Sequence, residues 1–146
     1  SSALYSLGKY QEALESCNKG LSYNKDPYLY NTKGGALAAL DRYEEAIDSY
    51  NQAIALDPNY FEPHENKFCP LRNLKRYQEA LETCDKAIAL EPNRHNIYTI
   101  HTNRAIALNK LERYKEALEA ADIALAIRPS YELAISAKII FTKITF

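Results

Sequence analysis

Methionine is absent from all 146 residues, position 1 included. The chain is therefore expected to be a piece of a longer protein, with any targeting segment lying outside it. No apolar run approaches the ~18 residues that a membrane-spanning helix needs, and no signal-peptide pattern is present. A cytoplasmic location with no membrane partner is the expectation. Cysteine is scarce. Cys17, Cys69 and Cys84 have no metal-ligand spacing, so no metal site and no cofactor are expected. An odd count without a framework argues for a reducing compartment. Neither sign of charge dominates: 18 basic residues against 19 acidic ones leave a net charge of −1. Without a basic block, phosphate-driven nucleic-acid binding is not expected. A glycine-rich phosphate loop is missing too, and no Cys or Ser stands beside a base in a local motif. Nothing here points to an enzyme.

What is present is repetition. Lys9–Asn24, Asp41–Pro58, Arg76–Pro92 and Arg113–Pro129 are four versions of one stretch. Tyr10, Tyr43, Tyr77 and Tyr114 head them at intervals of 33, 34 and 37 residues. Three positions later stand Ala13, Ala46, Ala80 and Ala117. Seven further on come Gly20, Ala53, Ala87 and Ala124, followed by Leu21, Ile54, Ile88 and Leu125. Spacings of 3, 4 and 7 gather these on one stripe of a helix, and small residues there let a second helix approach closely. Pro58, Pro92 and Pro129, with Pro27 two places out of step, end each helix by removing an amide donor. A fixed period in the thirties means stacked helical units, none able to fold alone.

On these residues the chain resembles the tetratricopeptide repeat family. Residues 27–60 carry the pattern most fully, with Tyr30, Gly34, Leu37, Tyr43, Ala46, Tyr50, Ala53 and Pro58. The resemblance covers essentially the whole chain. It implies an all-α fold, a right-handed superhelical solenoid of antiparallel helix pairs. One domain, 1–146, is expected: a partial repeat at 1–27, repeats at 27–60, 61–97 and 98–131, and a terminal helix at 132–146.

In chain order, Ser1–Leu7 reads as the end of a first helix, with Leu4 in the place of Leu37, and Gly8 as a turn before a helix at Tyr10–Tyr23. Helices follow at 28–40, Tyr43–Leu56, 77–90, 98–110 and 114–127. Gly34 and Gly35 each cost about 1 kcal/mol of helix propensity, which close packing at Gly34 would offset. Residues 61–74 break the pattern. Phe68 stands in the small slot and Pro70 inside the helix, so a kink or break is expected at Lys67–Pro70. The turn at Asn93–Ile97 carries three residues more than the period. Cys17 and Cys84, both at the place of Tyr50, read as small core hydrophobes, and His64 and His101 as packing residues in the place of Tyr30. Acidic pairs such as Glu44-Glu45 read as solvated faces. Tyr131–Ile144 is a further, unusually apolar helix.

Members of the family line a concave face with the first helix of each pair. The resemblance implies a peptide-binding groove drawn from Tyr28, Asn31 and Thr32, then Glu62, Asn66, Arg72 and Asn73, then Thr99, Asn103, Ile106 and Lys110. Cys69, Thr102, Leu133, Ala137 and Ile140 fall on the same projection. Asn66 and Asn103 hold equivalent places, and an amide can grip a peptide backbone as donor and acceptor at once. The family's clamp for acidic chaperone tails needs Lys and Arg at neighbouring groove positions. Here those positions hold Asn31 and Gly35, or Glu65 and Cys69, and no cation. The expectation is a scaffold binding a peptide or protein partner without catalysis. The alternative is a self-assembling module, a homo-oligomer stacked through open terminal helices. An RNA-reading repeat of the pentatricopeptide kind fits the proline endings and neutral charge less well.

Overall fold

A computed structural model describes residues 2–145, and side chains from 6 to 143. Among the described residues the structure is helical throughout. The elements are α1 (Ser2–Tyr23), α2 (Pro27–Ala39), α3 (Tyr43–Leu56), α4 (Phe61–Asn66), α5 (Phe68–Asn73), α6 (Tyr77–Leu90), α7 (Ile97–Lys110), α8 (Tyr114–Ile127) and α9 (Glu132–Thr145). The chain divides into two compact units, Ser1–Leu74 and Lys75–Phe146. In the first, α2 packs between α1 and α3, and α4 and α5 pack on α3. In the second, α7 packs between α6 and α8, and α9 lies on α8 and α7.

The four-fold motif becomes the second helix of each pair. The small residues of its stripe disappear from solvent: Ala46, Ala53, Ala80, Ala87, Ala117 and Ala124 are all fully buried. Three of these helices start in the same way. Asp41, Lys75 and Glu112 take left-handed backbone conformations, with φ of 58°, 58° and 60°. The arginine after each then caps the helix and donates from Nε to a glutamate three residues on. These bonds are Arg42–Glu45 at 2.7 Å, Arg76–Glu79 at 2.7 Å and Arg113–Glu116 at 2.8 Å. The glutamates thus sit where the helix dipole favours negative charge. This arginine–glutamate clasp refines the reading of Glu44-Glu45 as a plain solvated face. Glu45 is engaged at the helix start.

Gly8 occupies the place of Asp41, and the expected turn there is not formed. α1 runs unbroken from Ser2 to Tyr23, and no glycine has positive φ. Glycine permits a turn without imposing one, and here the helix simply continues through Gly8. A Cβ placed at Gly8 would meet nothing within 4 Å. The placement of Leu4 lies outside the described side chains, as does that of Ile144.

Elsewhere the boundaries follow the sequence closely. Asp26 caps α2, its Oδ1 accepting from the amides of Tyr28 (2.7 Å) and Leu29 (3.2 Å), with Pro27 in the first turn where it lacks nothing. The expected interruption falls at Lys67, between α4 and α5. Pro70 has no N–H to offer the carbonyl of Asn66. Pro63, Pro70, Phe68 and Leu71 are all buried, so the broken segment is still a core element. The longer turn before α7 is present, but it ends at Asn96. Ile97 opens the helix and is buried, because its side chain gains more as an anchor than in a solvated turn.

Gly34 earns its place by contact. A Cβ there would stand 2.6 Å from Cε1 of Tyr50, whose ring is itself only 2% exposed. One residue on, a Cβ at Gly35 would meet just the Tyr50 hydroxyl, at 3.9 Å. The two glycines should therefore respond oppositely to one substitution. Gly34→Ala should cost about 1–3 kcal/mol of stability through overpacking, while Gly35→Ala should gain up to about 1 kcal/mol from helix propensity. Urea denaturation of the two variants checks this, and a loss in both would refute the assigned contact.

Candidate binding surface

In the first unit the first helix of the pair, α2, presents Tyr28 and Asn31 one turn apart, and α4 presents Asn66 across from them. The two asparagines meet. Asn66 Nδ2 donates to Asn31 Oδ1 at 3.2 Å, and Asn31 Nδ2 donates to the Tyr60 hydroxyl at 3.2 Å. The Tyr60 ring lies beside that of Tyr28, with centroids 4.9 Å apart and planes tilted by 55°. Tyr28 is 63% exposed. The result is a relay of two amides and a phenol ending on an open aromatic face. Burial pushes the Tyr60 hydroxyl above its ordinary pKa, the carboxylate of Glu62 adds to this, and the bond from Asn31 works against it.

The remaining expected residues of this unit are arranged differently. Thr32 is exposed but returns its hydroxyl to the Tyr28 carbonyl at 2.9 Å. Glu62 is half-buried on α4. Arg72 and Asn73 belong to a further group on α5: Asn73 Nδ2 donates to the Cys69 carbonyl at 2.9 Å, and the Arg72 guanidinium stands 5.8 Å from the Phe68 ring centroid. Cys69 is exposed, unlike buried Cys17 and Cys84. Of the three, Cys69 is the one projected onto the open side of its helix, and it lies exposed.

In the second unit Thr99, Asn103 and Ile106 are half-buried and Lys110 exposed along α7. Thr102, projected onto the same surface, is instead fully buried, with its hydroxyl returned to the Tyr98 carbonyl at 2.9 Å. Ala137 is likewise buried, because α9 turns its small residues toward α8 and α7, whereas Leu133 and Ile140 are 46% and 54% exposed. A second aromatic pair appears here. Tyr98 and Tyr131 have centroids 4.9 Å apart in an edge-on arrangement, and the Arg128 guanidinium lies 5.1 Å from the Tyr98 centroid while donating to its hydroxyl at 2.6 Å.

Sequence reasoning missed Tyr60, Tyr131 and Arg128. A signal existed: Asp57-Pro58-Asn59-Tyr60 and Arg128-Pro129-Ser130-Tyr131 share a tyrosine two residues after the closing proline. Among the described residues no group of histidine, cysteine or carboxylate side chains could hold a metal ion. No helix among the described residues is long and apolar enough to cross a membrane.

The repeat pattern and the helix pairs can now be set against known proteins. A family profile described as TPR repeat matches residues 34–67, and one described as tetratricopeptide repeat matches residues 1–27 and 71–94, together more than half of the chain. The chain belongs to the tetratricopeptide repeat family. A comparison with curated proteins returned no match. Among solved structures, the TPR domain of Arabidopsis OM64 is 26% identical, with 80% of this chain and 94% of that one covered at a TM-score of 0.74. YrrB, described as a TPR protein with an unusual peptide-binding site, is 25% identical, with 90% and 66% covered at 0.80. The first TPR of Spaghetti (RPAP3), bound to the HSP90 peptide SRMEEVD, is 24% identical, with 82% and 92% covered at 0.76. These likenesses make the tetratricopeptide solenoid the fold class of this chain.

His101 supplies a pH test of the second unit. It is half-buried on α7, and burial first, then the nearby Arg104 cation, lower its pKa. The folded chain therefore binds fewer protons than the unfolded chain just below the ordinary histidine value of about 6.5. Stability from the neutral ring is complete above that pH and is lost as pH falls through the lowered folded value. Thermal unfolding between pH 7.5 and 5.5 should show a falling melting temperature, and His101→Gln should flatten that slope. Equal slopes would mean the ring is not held neutral.

Proposed function

We propose that this chain is a protein-interaction scaffold that binds an extended segment of a partner protein along the first helices of its repeats and does no chemistry of its own. It is treated as one tetratricopeptide domain with repeats at 27–60, 61–97 and 98–131. The observation that carries the reading is the Asn66–Asn31–Tyr60 relay beside the open ring of Tyr28. Two amides keep further donor and acceptor capacity toward a peptide backbone, and the ring offers apolar contact. Asn103 on α7, with Thr99, Ile106 and Lys110, is the corresponding stripe of the second unit. Helices fixed by packing present such a surface without first having to be ordered. The peptide complex of the RPAP3 domain and the peptide-binding description of YrrB support a peptide as ligand. The acidic chaperone tail remains disfavoured as this chain's own ligand, since Asn31, Gly35, Asn66, Thr99 and Asn103 offer a carboxylate no cation.

A second reading is self-association, favoured by one observation. A cleft of about 520 Å³ between α8 and α9 is lined by Leu125, Ile135, Lys138, Ile139, Thr142 and Lys143. Light scattering across concentration separates the two readings, and a strict monomer removes this one.

For the leading reading, the double variant Asn66→Ala/Asn103→Ala should retain helicity while partner capture from extract weakens. A loss of about 1–3 kcal/mol, or roughly 5- to 150-fold, is expected for amides that bond a ligand backbone. Unchanged capture would reject the assignment of this surface.

A further inference from the structure

The two units carry a tyrosine pair at matching places, tilted by 55° in the first and nearly edge-on at 72° in the second, and they differ in the charge beside it. Tyr28 and Tyr98 are each the second residue of a first helix, α2 and α7. Tyr60 and Tyr131 each directly precede the next first helix, α4 and α9. Both pairs have ring centroids 4.9 Å apart. In the second unit a guanidinium already covers the pair, that of Arg128, 5.1 Å from the Tyr98 centroid and bonded to its hydroxyl. In the first unit the residue at the place of Arg128, three before the second tyrosine, is Asp57. Its side chain is turned into its own loop, accepting from the Asn59 amide at 3.1 Å. The charges acting on the Tyr60 hydroxyl come from Glu62 and Asp26, both negative. The second unit thus holds an aromatic pair with its cation, and the first holds the matching pair amid carboxylates.

A π face attracts a cation, and arginine binds such faces more often than lysine because its flat guanidinium stacks and sheds water readily. The geometry points to the Tyr28–Tyr60 pair as the receptor for an arginine side chain of the bound peptide. This arginine would do between two molecules what Arg128 does within one. The inference rests on the reading of the α2–α4 surface as a peptide site and deepens it. The amides of Asn31 and Asn66 take the backbone, and the rings beside them take a basic side chain, with Asp26 and Glu62 supplying the complementary charge. The preferred ligand is then of opposite sign to an acidic tail.

The test uses the full chain with ¹³C-labelled tyrosine rings and a blocked pentapeptide of alanine with a central arginine. Controls replace that arginine by citrulline, its neutral isostere, or by glutamate. The arginine peptide should shift the Tyr28 and Tyr60 ring signals saturably, and the two controls should not. Tyr28→Ala, at an exposed position that leaves the fold intact, should weaken this response about three- to ten-fold. Arg128→Ala should uncover the second pair and add a response at Tyr98 and Tyr131. An equal response to citrulline or glutamate overturns the proposal, as does silence at Tyr28 across the soluble range. If the arginine peptide is silent while partner capture still depends on Asn66, the peptide surface stands and only the arginine receptor falls.

Discussion

Close approach of helices depends on what is left off their side chains. The Tyr50 ring fits against α2 because Gly34 has no Cβ to meet it. In the second unit the corresponding positions, Ala105 on α7 and Ala121 on α8, are both fully buried, a small residue facing a small residue. The bulk exchanged between facing helices differs from one pair to the next, but the void is filled each time, as close packing requires. From this follows the placement of everything functional. Helices held this near leave no freedom to rotate, so the outward stripe of each first helix is fixed by the inward one. Tyr28 and Asn31 are aimed by Gly34 and Leu37.

That constraint explains which parts of the structure could be read from the sequence. Alanines at fixed intervals report the inward stripe directly, and Tyr43–Leu56, Tyr77–Leu90 and Tyr114–Ile127 were legible to the residue. Pro70 announced the interruption at Lys67. Gly8 misled, because glycine permits a turn but does not impose one. Ile97 was misassigned to a turn because the insertion before α7 could be counted but not positioned by spacing alone. Thr102 misled for a different reason. Helical projection put it on the open surface, yet a threonine can satisfy its hydroxyl on its own helix and then bury its methyl.

The candidate surface was legible only as a list. Projection put Asn31 and Asn66 on one side of their helices, but that the two amides touch depends on how α4 sits against α2. Tyr60 was invisible to helical projection because it lies in the connection, outside any helical period. Repeat symmetry would have revealed it. The same symmetry gives the two aromatic pairs their meaning, since equal ring spacing with Arg128 in one place and Asp57 in the other changes the local field without changing the fold. In repeat proteins such single-residue exchanges at the ends of helices can alter what each unit attracts while the inward stripe stays as it is.

The cysteines differ in a way that has practical value. Cys17 and Cys84 are buried, and burial raises both thiol pKa values, that of Cys84 to about 12, so neither supplies thiolate at neutral pH. Cys69 stands in solvent on α5. A maleimide dye offered to the native chain would attach at that one position without any engineered cysteine. The chain thus carries a built-in handle for fluorescence, a single turn of helix from Arg72 and Asn73.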